Sequence, residues 1–260
     1  QKTAYEISEC DWSSDVCSSD LARGAERAVE SKLDELLGLL TVSESYLRKN
    51  QNMTMDEAID QGVKCFRIAD AAGMGFVMAL GVAMWCAYEG PIPQDKTIAV
   101  LRRLHDGGIR RFYLAGSMGM EDPMMVASLF RRAAKEFPGC EFGYHVHNLS
   151  GQGTANVLAA VDAGASFIEG SICGIGGGIA MPTSVASVGN LPTEDLVCMF
   201  ESMGVRTGVS PQEAVAASRE IAALLGITAS SHASQIGTRD EMLNQGKHNP
   251  RNPQTAARDA

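Results

Sequence analysis

Two histidines one residue apart close an apolar run, Phe142-Gly143-Tyr144-His145-Val146-His147-Asn148. Side chains of an extended segment alternate between faces, so His145 and His147 fall on one side, about 7 Å apart along the strand. Two imidazoles so placed can share one metal ion. A pair of hydrogen-bonded structural histidines is the competing reading. The context favours ligands: the run leads straight into Leu149-Ser150-Gly151-Gln152-Gly153, a turn opening a helix, and βα folds build their sites at such strand ends. Further along, Asn190 in Ser187-Val188-Gly189-Asn190 could supply an amide oxygen, although an Asn after Gly is also an ordinary turn residue. The glycine run Gly174-Ile175-Gly176-Gly177-Gly178 lacks the Lys and Ser/Thr of a phosphate-binding loop and reads better as a flap over a site.

These residues need a scaffold, and the chain supplies a regular one. Apolar runs occur at Leu36–Val42, Phe76–Ala83, Arg111–Ala115, Phe142–His147 and Phe167–Cys173, their starts separated by 40, 35, 31 and 25 residues. That is the spacing of strands joined through helices. The intervening segments Met55–Ala69, Asp95–His105 and Asp122–Phe137 carry apolar residues at helical period. Asp122-Pro123 has the form of a cap followed by a first helical position, and Ser210-Pro211-Gln212-Glu213 opens a last helix that Gly226 ends after about Leu225. Such an alternation predicts an α/β fold with a parallel sheet covered by helices. A polar tail is expected over 229–260, mobile at its end.

Of 260 residues, 45% are hydrophobic and 20% charged, enough for a substantial core. A net charge of −9 argues against a nucleic-acid surface or a polybasic membrane anchor, so no nucleic acid and no membrane are expected as partners. An acidic ligand would need a local positive centre such as a metal. The uncharged stretch Ala71–Tyr88 approaches spanning length but holds Gly73, Gly75 and Gly81 and lacks anchoring flanks. Seven cysteines without a CxxC pair predict reduced thiols in a cytoplasmic protein.

Residues 1–21 stand apart. QKTAYEISECDWSSDVCSSDL has neither helical nor strand periodicity and none of the features of a secretory signal. It resembles a translated sequencing-library adapter, with Gln1–Ile7 reading from one half and Asp11–Leu21 from the other. The segment is therefore expected to be non-native, with the true beginning of the gene missing. Without it the net charge is −5 and five cysteines remain.

His145-Val146-His147-Asn148, Gly151-Gln152-Gly153-Thr154-Ala155-Asn156, Ala163-Gly164-Ala165, Gly174-Ile175-Gly176-Gly177 and Gly189-Asn190-Leu191-Pro192-Thr193-Glu194-Asp195-Leu196 resemble, in order and spacing, the hydroxymethylglutaryl-CoA lyases. Trp85-Cys86-Ala87-Tyr88-Glu89-Gly90 resembles a further segment of that family. These lyases belong to the metal-dependent lyase and synthase superfamily with a pyruvate carboxyltransferase domain. The resemblance implies a TIM (β/α)8 barrel over 22–228, incomplete by roughly its first two strands. It implies Mg2+ or Mn2+ held by His145, His147, Asn190 and an aspartate of the first strand. The implied reaction cleaves a 3-hydroxyacyl-CoA, such as hydroxymethylglutaryl-CoA, to acetyl-CoA and a keto acid by a retro-aldol or Claisen route, as in leucine degradation. A 4-hydroxy-2-oxo acid aldolase, an acyl-CoA-condensing synthase and a non-catalytic barrel subunit are the alternatives. The expected partners are a small acyl-CoA or hydroxy-keto acid and a second copy in a homodimer.

The departures are as specific as the matches. The family's catalytic Arg-Asp pair would lie upstream of Ala22, so 22–260 is expected to be inactive alone. The family's catalytic Cys position is Gly178, while Cys173, five residues earlier, reads as a buried small residue. An aspartate expected after the Arg111–Ala115 strand is replaced at Gly116. Asn148 follows His147 as in the aldolase branch, and the flap carries about three extra residues by the same comparison.

Overall fold

A computed structural model describes residues 21–31, 33–177 and 189–248. The segment read as adapter, apart from Leu21, lies outside the described residues, as do Gly178 and 249–260. The chain divides into two compact units, one of Gln1–Glu169 with Gly177–Val188 and one of Gly170–Gly176 with Gly189–Ala260.

The first unit runs α1 (Leu21–Glu30), β1 (Glu35–Thr41), α2 (Glu44–Gln51), α3 (Met55–Ala71), β2 (Gly75–Gly81), a short antiparallel pair β3 (Trp85–Cys86) and β4 (Gly90–Pro91), α4 (Gln94–Asp106), β5 (Arg111–Gly116), α5 (Pro123–Glu136), β6 (Glu141–Val146), α6 (Gly153–Asp162) and β7 (Phe167–Glu169). Strands β1, β2, β5, β6 and β7 pair in that order, all parallel, with helical crossovers between them. This is the βα order of a TIM-type barrel, present as an open sheet of five strands among the described residues. β1 pairs there with β2 alone, as an edge strand.

The register sorts each strand's residues onto two faces. Leu40, Met78, Leu80, Phe112, Leu114, Phe142, Tyr144 and Val146 are buried and alternate with the residues of the other face. Ile59, Leu101, Leu104, Val126, Leu129 and Phe130 bury the apolar stripes of α3, α4 and α5. Each such side chain contributes about 1.5–3 kcal/mol on burial. On the other face lie Leu37, Tyr113, Gly143, His145, Phe167 and Glu169, the face that carries the site.

Local chemistry starts α5 and α3 where the sequence places them, while α3 runs two residues past the expected Ala69, to Ala71. The Asp122 carboxylate accepts from the Met124 and Met125 N–H groups at 2.8 and 2.9 Å, with Pro123 in the first turn. Thr54 and Glu57 form a reciprocal capping box on α3.

The strand expected over Phe167–Cys173 ends at Glu169. Beyond it the chain enters the second unit, where a 3-10 turn spans Ile172–Gly174. Cys173 and Gly174 both take positive φ there (60° and 70°), which extended backbone excludes. The strand expected near Ser187–Asn190 lies partly outside the described residues. Next to its described end, Pro192 makes a single parallel bridge with Ser171. Then follow α7 (Thr193–Ser202), α8 (Pro211–Leu225), α9 (His232–Ile236) and α10 (Arg239–Lys247). Ser210 caps α8 and Gly226, at φ 65°, ends it. The segment read as a polar tail thus carries two helices as far as Lys247. No helix among the described residues is long and apolar enough to cross a membrane.

Candidate metal centre

His145 lies opposite Ala115 of β5 on one side and Glu169 of β7 on the other. The strand period brings the His145 and His147 rings together, with centroids 5.3 Å apart and planes at 68°. Nδ1 of His145 stands 2.8 Å from Oε2 of Glu169. His147 is buried, and its backbone N–H donates to the Gly116 carbonyl at 3.1 Å.

The segment after His147 is fastened from two sides. Asn148 Oδ1 accepts the Gly153 N–H at 2.9 Å and so holds the start of α6 against the strand end. Gly119, at φ 58°, passes so close to the His147 carbonyl that a Cβ there would overlap it, and the Ser150 hydroxyl donates to the Gly119 carbonyl. Beneath this loop Tyr144 OH donates to Glu121 Oε1 at 2.8 Å, and Asn156 Nδ2 donates to the Glu121 carbonyl at 2.8 Å. Glu121 is fully buried, and burial pushes its carboxyl above the ordinary value.

Asn190 belongs to the second unit. Its Nδ2 donates to the Ile175 carbonyl at 3.0 Å, so the amide orientation is set by an acceptor that only an NH2 group can meet. Its Oδ1 is buried with no hydrogen-bond partner among the described residues. The turn that carries Ile175 is held by Glu194, another fully buried carboxylate. Glu194 accepts from the Cys173 N–H (3.2 Å to each oxygen), from Ser218 Oγ (2.6 Å) and from Ser234 Oγ (3.1 Å). The Cys173 thiol donates to the Ser218 carbonyl at 3.1 Å, and the residue is buried, matching its reading as a core side chain. Gly174 and Gly176 both use positive φ, and a Cβ on Gly174 would overlap Ser230 Oγ; Gly177 is exposed.

Among the residues singled out from sequence, the structure brings His145 and His147 together, while Asn190 stands in a separate unit. No cluster of three or more His, Cys, Asp and Glu residues suited to a metal occurs among the described residues. Within the first unit the donors present are two imidazoles on one strand face, a nitrogen set that fits a borderline divalent cation. Glu169 was not singled out by sequence reading. Its signal was its place in the Phe167–Cys173 run, but only the β6–β7 register pairs it with His145.

Residues 15–221 match the model of the HMGL-like family. The chain belongs to the HMGL-like family. It is 30% identical over 213 residues to the mitochondrial hydroxymethylglutaryl-CoA lyase of Mus musculus, covering 82% of this chain and 65% of that one. It is 28% identical over 214 residues to hydroxymethylglutaryl-CoA lyase YngG of Bacillus subtilis (strain 168), covering 82% and 71%. This HMGL-like chain thus spans less than two thirds of the mammalian relatives' length. Among solved structures it resembles a Bacillus subtilis HMG-CoA lyase with a TM-score of 0.77, 28% identity and coverage of 82% of this chain and 71% of that one. An Acinetobacter baumannii HMG-CoA lyase, solved with coenzyme A and 3-methylmalate, gives 0.79, 25%, 91% and 81% in the same order.

Proposed function

We propose that this HMGL-like chain is the greater part of a metal-dependent carbon–carbon lyase acting on a 3-hydroxyacyl-CoA of the hydroxymethylglutaryl type. The observation that carries the reading is the His145–His147 pair, with rings 5.3 Å apart at the C-terminal end of a parallel strand. The names of the relatives supply the substrate class, and the coenzyme A bound to the Acinetobacter baumannii enzyme supports a thioester substrate.

His145 and His147 would hold Mg2+ or Mn2+, and the family resemblance adds Asn190 as a proposed further ligand, its Oδ1 having no partner among the described residues. When bound, such a cation polarises the oxygens of a hydroxy-carbonyl substrate. The cleavage balances as a retro-Claisen step: the hydroxyl proton leaves to a base, the C–O bond becomes a carbonyl and the adjacent C–C bond breaks. Its electron pair passes to the thioester enolate, which takes up a proton to give acetyl-CoA beside the keto acid. The chain's own contribution is to fix the two rings on one face and to brace the strand end through Asn148, Gly119 and Ser150. The setting proposed is cytoplasmic acyl-CoA breakdown, as in leucine degradation, with the chain working as a homodimer.

Asn148 favours a second reading, cleavage of a 4-hydroxy-2-oxo acid, since it follows His147 as in the aldolase branch. Mn2+ titrated into the chain should bind, and His145→Ala or His147→Ala should abolish binding. Unchanged affinity in both variants would overturn the metal reading. Product analysis with hydroxymethylglutaryl-CoA and a 4-hydroxy-2-oxo acid, on a version extended at its N-terminus, separates the two substrates.

A further inference from the structure

β7 is only three residues long, yet it must present Glu169 to His145. Its docking rests on an absent side chain. Gly143 and Phe167 are register partners, and a Cβ on Gly143 would overlap the Phe167 ring, so the ring lies directly over β6 at that residue. The Tyr113 ring meets Phe167 edge-on, with centroids 4.8 Å apart and planes at 81°. From below, the Arg111 guanidinium stands 5.4 Å from the Phe167 ring centre and pairs with Glu35 and with Glu141, the latter at 3.0 Å. Two residues beyond Phe167 and Gly143, on the same face, Glu169 Oε2 reaches His145 Nδ1 at 2.8 Å.

We infer that Glu169 is a positioning residue for His145: its carboxylate accepts the Nδ1–H, fixes the ring's rotation and leaves Nε2 as the lone pair turned toward a cation. An ionised carboxylate can only accept, which puts the proton on Nδ1 of the neutral ring. Carboxylates holding a ligand histidine in this way orient the ring and raise its basicity, and losing one typically costs about 10–100-fold in metal affinity. Gly143 and Phe167 act one layer lower, by setting where β7 lies. The inference rests on the metal reading of the histidine pair, but the tautomer can be read without metal.

The test is 15N-detected imidazole NMR on the metal-free chain at a pH where His145 is neutral, followed by Mn2+ titration of the same samples. Wild type should show His145 as the Nδ1–H tautomer. Glu169→Ala should move it toward the Nε2–H form and weaken Mn2+ binding about 10–100-fold. Glu169→Gln, whose amide oxygen can still accept, should fall between the two. Because Glu169 is partly exposed, both variants should keep the wild-type fold, which the amide spectrum verifies. Gly143→Ala should displace β7 and mimic Glu169→Ala. An Nε2–H tautomer in wild type would overturn the inference, as would Glu169→Ala with unchanged tautomer and Mn2+ affinity. If instead Mn2+ binds equally well to His145→Ala and His147→Ala, the metal reading fails while the tautomer result stands by itself.

Discussion

The Glu121 carboxylate occupies the space that a side chain on Gly116 would fill. A Cβ at residue 116 would overlap Glu121 Oε1, lie 2.7 Å from its Cδ and come within 2.9 Å of Tyr144 OH. The sequence comparison expects an aspartate where this chain has Gly116; the structure shows a carboxylate arriving there from five residues further on, buried rather than facing the histidines. The glycine and the glutamate are thus complementary. Gly116→Ala should destabilise the chain by about 1–3 kcal/mol through overpacking, measured by urea unfolding. Adding Glu121→Ala should recover part of that loss, and strict additivity of the two changes would show them to be independent.

Glu121 should also make stability depend on pH. Burial holds its folded-state carboxyl above the ordinary 4.5. The protonated form is therefore favoured on folding, and that contribution is complete below the unfolded value and lost as pH rises through the raised one. Glu121→Gln, neutral throughout, should gain stability relative to wild type between about pH 4 and neutrality. Unfolding free energies across that range check this, and a gap that narrows as pH rises would contradict it.

Glu89 carries the opposite sign. Partial burial would raise its carboxyl, but the Ser45 N–H and the Ser43 hydroxyl donating to it, together with Lys96, outweigh that and hold it down at about 2. Its contribution is present above the unfolded carboxylate range and fades as pH falls toward 2. Since Ser43 and Ser45 follow β1 while Glu89 lies in the turn between β3 and β4, Glu89→Gln should loosen this tie by about 1–2 kcal/mol at neutral pH. The difference from wild type should shrink in acid, as seen by thermal melts at both pH values.

Glu194→Ala should cost the second unit about 2–4 kcal/mol, because one N–H and two hydroxyls lose a buried acceptor at once. Hydrogen exchange should show faster opening at Cys173 and in α7 and α8. The Asn190 side-chain amide, held on Ile175 of the same turn, should exchange faster too. Unaltered exchange at Asn190 would mean that Glu194 does not support the turn.

Much of the scaffold was legible in the chain itself, because its signals are local. Helix caps at Asp122 and Ser210 act within three residues, and strand alternation puts His145 and His147 on one face wherever the strand lies. The run at Phe167–Cys173 misled for a related reason: apolarity marks burial, and Cys173 is buried in a turn at φ 60° rather than in a strand. The pairing of His145 with Glu169 joins residues 24 apart and depends on β6–β7 register, which Gly143 and Phe167 set together. Glu121 reaches the Gly116 space only because the loop after β5 folds back under Tyr144. Composition, period and capping determine which elements form and which residues share a face, since each is decided by neighbours a few positions away. Partners across strands are decided by packing, where one missing Cβ or one buried carboxyl outweighs any local preference.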